Sequence, residues 1–143
     1  MPEITLQHDE LAAVLRQVDA ELATLERRVA EPEVLPLAPT VERALELVTR
    51  LIVACIEDQG GKQAPDPAAD LLAAFKVLVR GEPSWNAIRD NCRELVYYRN
   101  CINMGRLDAL PAVPEKMAVR TARHIFLYIK TRFIRDGGLK NQF

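Results

Sequence analysis

The chain has few of the residues that metal, disulfide and phosphate-loop chemistry require. Its 143 residues include three cysteines and two histidines, at Cys55, Cys92, Cys101, His8 and His124. The odd cysteine count and the lack of Cys-x-x-Cys spacing favour reduced, buried thiols in a cytoplasmic protein. Neither histidine stands at ligand spacing from a cysteine, so the sequence predicts no metal site and no cofactor. No glycine pattern resembles a phosphate-binding loop.

A membrane span, a signal peptide and strand-type alternation are also absent from the sequence. The longest apolar run, from Leu45 to Ile56, is interrupted by polar residues and is too short to cross a bilayer. The first five residues, MPEIT, lack the apolar core of a signal peptide. No segment alternates with period two, and no internal repeat is present. These absences predict an all-α single domain over residues 1–143, with no membrane partner.

Net charge is small, but the two halves of the chain carry opposite charge. Residues 1–71 contain 6 Lys and Arg against 14 Asp and Glu, and residues 72–143 contain 13 against 6. The halves therefore sum to −8 and +7, which returns the overall −1. Such a split favours self-association or a basic face for an acidic partner. The alternative is that the two halves complement each other within the fold.

Helical periodicity predicts five helices, over residues 9–30, 40–58, 67–80, 83–102 and 114–136. Thr40, Asp66 and Ser84 are expected to act as N-caps, and prolines between residues 31 and 39 to form an extended connector. The second helix is apolar over most of its circumference and is expected to be central. The architecture that follows is an antiparallel bundle of four helices over residues 40–137, preceded by a long N-terminal helix within residues 1–32.

The first predicted helix carries a narrow apolar seam with spacings of three and four residues. Such a seam suits either an edge helix of the bundle or a partner helix in a dimer. Short coiled coils are marginal without further packing, which favours the edge helix. The seam residues are Leu11, Leu15, Val18, Leu22, Leu25 and Val29.

An Arg-Asn pair stands near the end of the fourth predicted helix, in the segment ELVYYRNCINMG that ends at Gly105. Leu95, Tyr98 and Ile102 recur at helical spacing, so Arg99 and Asn100 would meet a surface groove rather than the core. The simplest interpretation is that Arg99 pairs with a carboxylate and that Asn100 caps the turn. Asp90 and Glu94 form an acidic line on the same helix, which is expected to hold either Arg99 or an arginine of the fifth helix.

The segment Arg99-Asn100-Cys101-Ile102-Asn103-Met104-Gly105 resembles the Arg-Asn-x-x-x-His-Gly motif of HEPN-domain proteins, a superfamily of small helical bundles. In that family the Arg and His lie near a dimer interface and cleave RNA, or the fold is inactive and serves as a binding or assembly module. Arg99, Asn100 and Gly105 match the motif, and Met104 occupies the position of the histidine. A thioether cannot take or give a proton near neutral pH, which excludes acid–base catalysis there.

The resemblance implies a non-catalytic RNA-binding or assembly module of a toxin–antitoxin or antiviral defence system, acting as a homodimer or as a subunit of a larger assembly. One alternative is a metal-independent endoribonuclease that uses Arg99, Asn100 and a displaced His124. Another is a helical interaction subunit without nucleic acid. Arginines beside aromatic rings are typical of RNA surfaces. The candidate RNA-binding residues are Tyr97, Arg99, Asn100, Arg106, Arg120 and Arg123.

Overall fold

Five α-helices and two short 3-10 turns form the described part of the computed structural model, which comprises residues 2–31, 35–65 and 70–136, with side chains from residue 9 onward. These ranges contain no strand, which confirms the all-α class. The 3-10 turns are Pro83–Ile88 and Leu107–Ala109. The helices are α1 (Pro2–Ala30), α2 (Leu37–Gln59), α3 (Leu71–Val79), α4 (Arg89–Asn103) and α5 (Pro114–Arg135).

Helix α2 lies at the centre and packs against each of the other four helices. Ten of its side chains are buried, among them Val41, Leu47, Leu51 and Ile56 with no exposed surface. A helix buried on most of its faces needs partners on several sides, which is why the apolar circumference predicted this position correctly. Despite that burial, none of the helices in the described ranges has the length and apolarity of a membrane span.

Helix α1 inserts its apolar seam into the core of its own chain. Leu15, Val18 and Leu22 are fully buried, and α1 packs against α2 and α5. Arg50 of α2 donates to Gln17 over 2.7 Å and Arg43 pairs with Glu21, so α1 and α2 run antiparallel. Within one chain, α1 therefore packs as an edge helix of the bundle.

Helix α1 begins at Pro2 rather than at residue 9, and two predicted N-caps are wrong, for separate reasons. Thr40 is not an N-cap: α2 begins three residues earlier, with Pro36 at the cap, and the Thr40 hydroxyl donates to the Pro36 carbonyl over 2.6 Å. Pro39 fits inside the first turn because no intrahelical donor is needed there. Ser84 is not an N-cap either, since its Oγ accepts from Arg132 over 2.7 Å and α4 begins at Arg89.

The start predicted for α3 at Asp66 lies outside the described residues. Within them, α3 begins at Leu71, and the N-cap is Asp70, whose carboxylate accepts from the Ala73 amide over 2.9 Å. This side-chain bond satisfies one of the free amides of the first turn. Val34, proposed to anchor the connector, is also outside the described residues, whereas its neighbour Leu35 is buried.

Two buried thiols make the stability of the fold sensitive to alkaline pH. Burial raises the pKa of Cys55 and of Cys92 from 9.0 to about 12. The folded chain thus holds these protons more tightly than the unfolded chain, so the stabilisation is complete below pH 9 and is lost as the pH rises towards 12. We expect the free energy of unfolding to fall above pH 9, by about 1.4 kcal/mol per pH unit per thiol.

Urea unfolding at pH 8, 9 and 10 measures this loss. The Cys92→Ala variant is the control, because one of the two thiols is removed and the decline should be shallower. An unfolding free energy that stays constant up to pH 10, or a decline as steep in the variant as in the wild type, would contradict the prediction.

Candidate functional site

The last turn of α4 is closed by a glycine in the left-handed conformation. Gly105 has φ +71°, its amide donates to the Ile102 carbonyl over 3.2 Å, and the Arg106 amide donates to the Cys101 carbonyl over 2.8 Å. These two bonds form a Schellman motif, for which glycine is the preferred residue because it has no Cβ to clash. The predicted glycine-closed turn is confirmed, and helix termination alone accounts for Gly105.

Arg99 has no ion pair, contrary to the sequence-based interpretation. Its side chain is half-buried and makes neither a hydrogen bond nor an ion pair to any residue in the described ranges. The expected partner Glu94 instead accepts from the hydroxyls of Tyr98 and Thr121. Burial and the Glu94 carboxylate raise the pKa of Tyr98 above its ordinary value. Positions 94 and 99 are about 140° apart around the helix, so one residue cannot reach the other.

The outward face of α4 carries Tyr97, Asn100 and Met104. The side chains of Tyr97 and Met104 are 50 % and 72 % exposed, and Asn100 is exposed as well. The expected cap by the Asn100 side chain is not formed, because Gly105 closes the turn instead. Tyr97 and Arg99 point about 160° apart around the helix. Arg99 therefore does not belong to the surface that Tyr97 and Asn100 form.

Exposed apolar side chains are concentrated where α4 connects to α5. Five large hydrophobic side chains are exposed in the described ranges, and four of them, Tyr97, Met104, Leu107 and Val113, lie within residues 97–113. Of the two leucines that could anchor this loop, Leu110 packs on the core, whereas 55 % of Leu107 is exposed. Together with Asn100, the four exposed residues are called the connector surface below.

The connector surface also contains a strained residue. Val113 adopts φ 49° and ψ 60°, a left-handed conformation that is rare for a β-branched side chain. It precedes Pro114, which begins α5. Residues held in this conformation cost about 1–3 kcal/mol and cluster at functional sites. No periodicity in the sequence signals this strain.

Arg99 and His124 line separate cavities. Arg99 lies at a groove of about 810 Å³ that runs along α2, whereas His124 lies at a shallow cavity of about 390 Å³ with Asn91 and Glu94 of α4. The two share no lining residue in the described part of the chain. His124 is exposed and makes no hydrogen bond to a described residue. One chain thus does not bring the two candidate catalytic residues together.

Arg123, a candidate RNA-binding residue, already forms ion pairs with carboxylates of its own chain. Its side chain is 18 % exposed and pairs with Asp19 over 2.7 Å and with Glu26 over 2.8 Å, both on α1. Its guanidinium also lies 5.0 Å from the centroid of the Phe126 ring. The Glu26 carboxylate, followed by Asp19, raises the pKa of Arg123. Here the basic half of the sequence complements the acidic half within one chain.

The remaining candidates do not form one surface. Arg106 pairs with Asp108 over 3.2 Å beside the connector surface, and Arg120 is exposed on α5 beside His124, without an ion pair to a described residue. Nowhere in the described ranges do three His, Cys, Asp or Glu side chains converge on a possible metal site. Comparison of the chain with protein-family models, with curated proteins and with solved structures found no match.

Proposed function

We propose that this chain is a non-catalytic, HEPN-like assembly module in which the connector surface joins two copies. The observation that carries the proposal is the concentration of four of the five exposed large hydrophobic side chains within residues 97–113. Exposed apolar side chains concentrated in one part of a small domain are typical of an interaction site. Residues 97–113 include the Arg99–Gly105 segment that resembles the HEPN motif, which in that family lies near a dimer interface.

The polar groups of the connector surface and its rim suit a second copy of the same chain. Across a two-fold axis each patch must complement itself. The Asn100 amide is both donor and acceptor, so it can pair with its own counterpart. Arg106 and Asp108 lie next to each other as an exposed ion pair, and they can exchange partners between two copies. A homodimer therefore satisfies these groups without any other partner.

Two features support a role without catalysis. Met104, at the position of the motif histidine, is 72 % exposed on the connector surface and has no acid–base chemistry. His124 lines a different cavity from Arg99, so the one histidine whose side chain the structure describes does not replace the missing one beside Arg99 within the chain. A toxin–antitoxin or antiviral defence setting is proposed from the resemblance to the HEPN family alone.

A charge placed in the connector surface should dissociate the dimer. We expect the wild type to sediment as a dimer at micromolar concentration and Met104→Glu to sediment as a monomer, because two carboxylates would be buried without partners. Sedimentation velocity over a dilution series measures both. Leu127→Glu is the matched control, since Leu127 is 47 % exposed on α5, outside the connector surface.

Two results would contradict the proposed assembly. One is a wild type that stays monomeric up to about 1 mM, which corresponds to an association of no more than about 4 kcal/mol. The other is a dimer that survives Met104→Glu but dissociates in Leu127→Glu, which would place the interface on α5.

RNA binding is a second candidate function, favoured by cations that the fold leaves unpaired. Arg93, Lys116 and Arg120 are exposed on α4 and α5 and make no ion pair to a described residue. Fluorescence anisotropy with a single-stranded RNA tests this function. We expect Arg120→Ala to weaken binding uniformly across sequences and to reduce the salt dependence by about one phosphate contact. Binding that does not respond to Arg120→Ala would exclude this face.

A further inference from the structure

The groove along α2 is long rather than round. Its floor and near wall follow α2 from Glu42 through Glu46 and Val53 to Glu57, a stripe of outward positions over four turns. At 1.5 Å per residue this stripe is about 22 Å long. Val14 of α1, residues 63–65 of the loop after α2, Leu71 of α3 and Arg99 of α4 complete the lining. The dimensions suit an extended ligand such as one helix of a peptide.

The lining combines apolar side chains with an excess of negative charge. The half-buried Val14, Val53 and Ala54 contribute apolar surface to a groove whose volume of about 810 Å³ lies in the range of ligand sites. Four carboxylates also line it, against two arginines. These carboxylates belong to Glu42, Glu46, Glu57 and Asp70.

Only two of these four carboxylates have partners within the described chain. Glu46 pairs with Arg43 over 2.7 Å, and Asp70 caps α3. Glu42 and Glu57 are exposed and have no ion pair to any described residue. They stand near the two ends of the stripe. An occupant with positive charges at both ends and an apolar face between them would match this pattern.

We propose that this groove binds a basic, amphipathic helical peptide segment of another protein. Its apolar side chains pack on Val14, Val53 and Ala54, and its Lys or Arg side chains meet Glu42 and Glu57. Arg99, which has no partner in the described fold, donates to a free carbonyl at the carboxyl end of the bound helix, where the helix dipole is negative. Nucleic acid is disfavoured here because its phosphates would face four carboxylates.

The peptide interaction can be tested with a designed probe. The probe is a fluorescein-labelled 18-residue helix with leucines on one face and lysines flanking them; its partner probe has each lysine replaced by glutamate. We expect the basic probe to bind the full chain, measured by anisotropy, and the acidic probe not to bind. The triple variant Glu42→Gln, Glu46→Gln, Glu57→Gln should weaken binding about tenfold, since the two exposed ion pairs to the peptide are lost and the negative charge of Glu46 beside them is removed.

A matched variant separates the groove from overall charge. Glu31→Gln, Asp90→Asn and Asp136→Asn remove three exposed carboxylates elsewhere and change the net charge equally. We expect this variant to bind the basic probe within twofold of the wild type, which supports the groove. Equal weakening in both triple variants would overturn the proposal, because attraction would then come from net charge alone. An absence of binding at 50 mM salt would overturn it as well.

The test also distinguishes a second copy as the occupant. The outward face of α5 carries Lys116, Arg120 and Arg135 and could lie in the groove of a neighbouring chain. If the groove triple variant loses self-association in sedimentation while the probe fails to bind the wild type, the occupant is a second copy and the peptide proposal is wrong. If the basic probe binds and the oligomeric state of the triple variant is unchanged, the peptide proposal stands. The groove proposal does not depend on the connector surface.

Discussion

Leu22→Ala is expected to lower the free energy of unfolding by about 3 kcal/mol. Leu22 is fully buried within the shared core, and truncating such a leucine removes apolar contacts and leaves a cavity. Urea denaturation monitored by circular dichroism measures the change. Arg16→Ala on the same helix is the control, because Arg16 is exposed and its loss should stay within about 0.5 kcal/mol.

The concentration dependence of this result tests where α1 packs. With the seam inside its own chain, the cost of Leu22→Ala should be the same at low and at high protein concentration. A loss below about 1 kcal/mol would show that α1 does not pack on the core. A loss that appears only on dilution would show that the seam binds another chain.

Arg123→Ala is expected to destabilise the fold by about 2 kcal/mol. The substitution leaves Asp19 and Glu26 without their shared cation, and hydrogen bonds to charged groups each contribute about 1.5–3 kcal/mol. We place the loss at the lower end because the two carboxylates are 45 % and 41 % exposed and thus screened by water. Thermal or urea unfolding at low and high salt measures it, and the cost should shrink as salt screens the pair.

Two further variants serve as controls for this prediction. Arg123→Lys keeps the charge but cannot bind two carboxylates with a planar fork, so we expect an intermediate loss of about 1 kcal/mol. Arg120→Ala, three residues away on the exposed face, should change stability by no more than about 0.5 kcal/mol. If Arg123→Ala leaves stability unchanged but abolishes RNA binding, then Arg123 is a binding residue rather than a link between α1 and α5.

The patterns that the sequence predicts well are those set by periodic burial. The seam of α1 required an apolar partner and the apolar circumference of α2 required neighbours on several sides, and the fold provides both within the chain. Gly105 also follows from local rules, because a helix end in the left-handed conformation favours glycine. In each case the physical cause lies within a few residues of the chain or repeats along one helix.

Side-chain pairing could not be predicted, because it depends on contacts distant in sequence. From the sequence, Arg123 resembles an exposed arginine. In the fold, α1 places Asp19 and Glu26 beside it, although both residues lie about a hundred positions earlier in the chain. Glu94 looks like a partner for Arg99, but α5 supplies Thr121 instead. The connector surface was missed for a related reason: Leu107 and Leu110 both resemble anchors, and only the fold shows that Leu110 packs on the core while Leu107 is exposed.

Hydrogen–deuterium exchange at two protein concentrations tests the central claim most directly. If two copies meet through the connector surface, the loop amides from Arg106 to Val113 should exchange more slowly above the dimer dissociation constant than below it. The same amides in Met104→Glu should show no concentration dependence. Loop exchange that is equal at both concentrations, or protection confined to α1 or to the groove along α2, would contradict the proposed assembly.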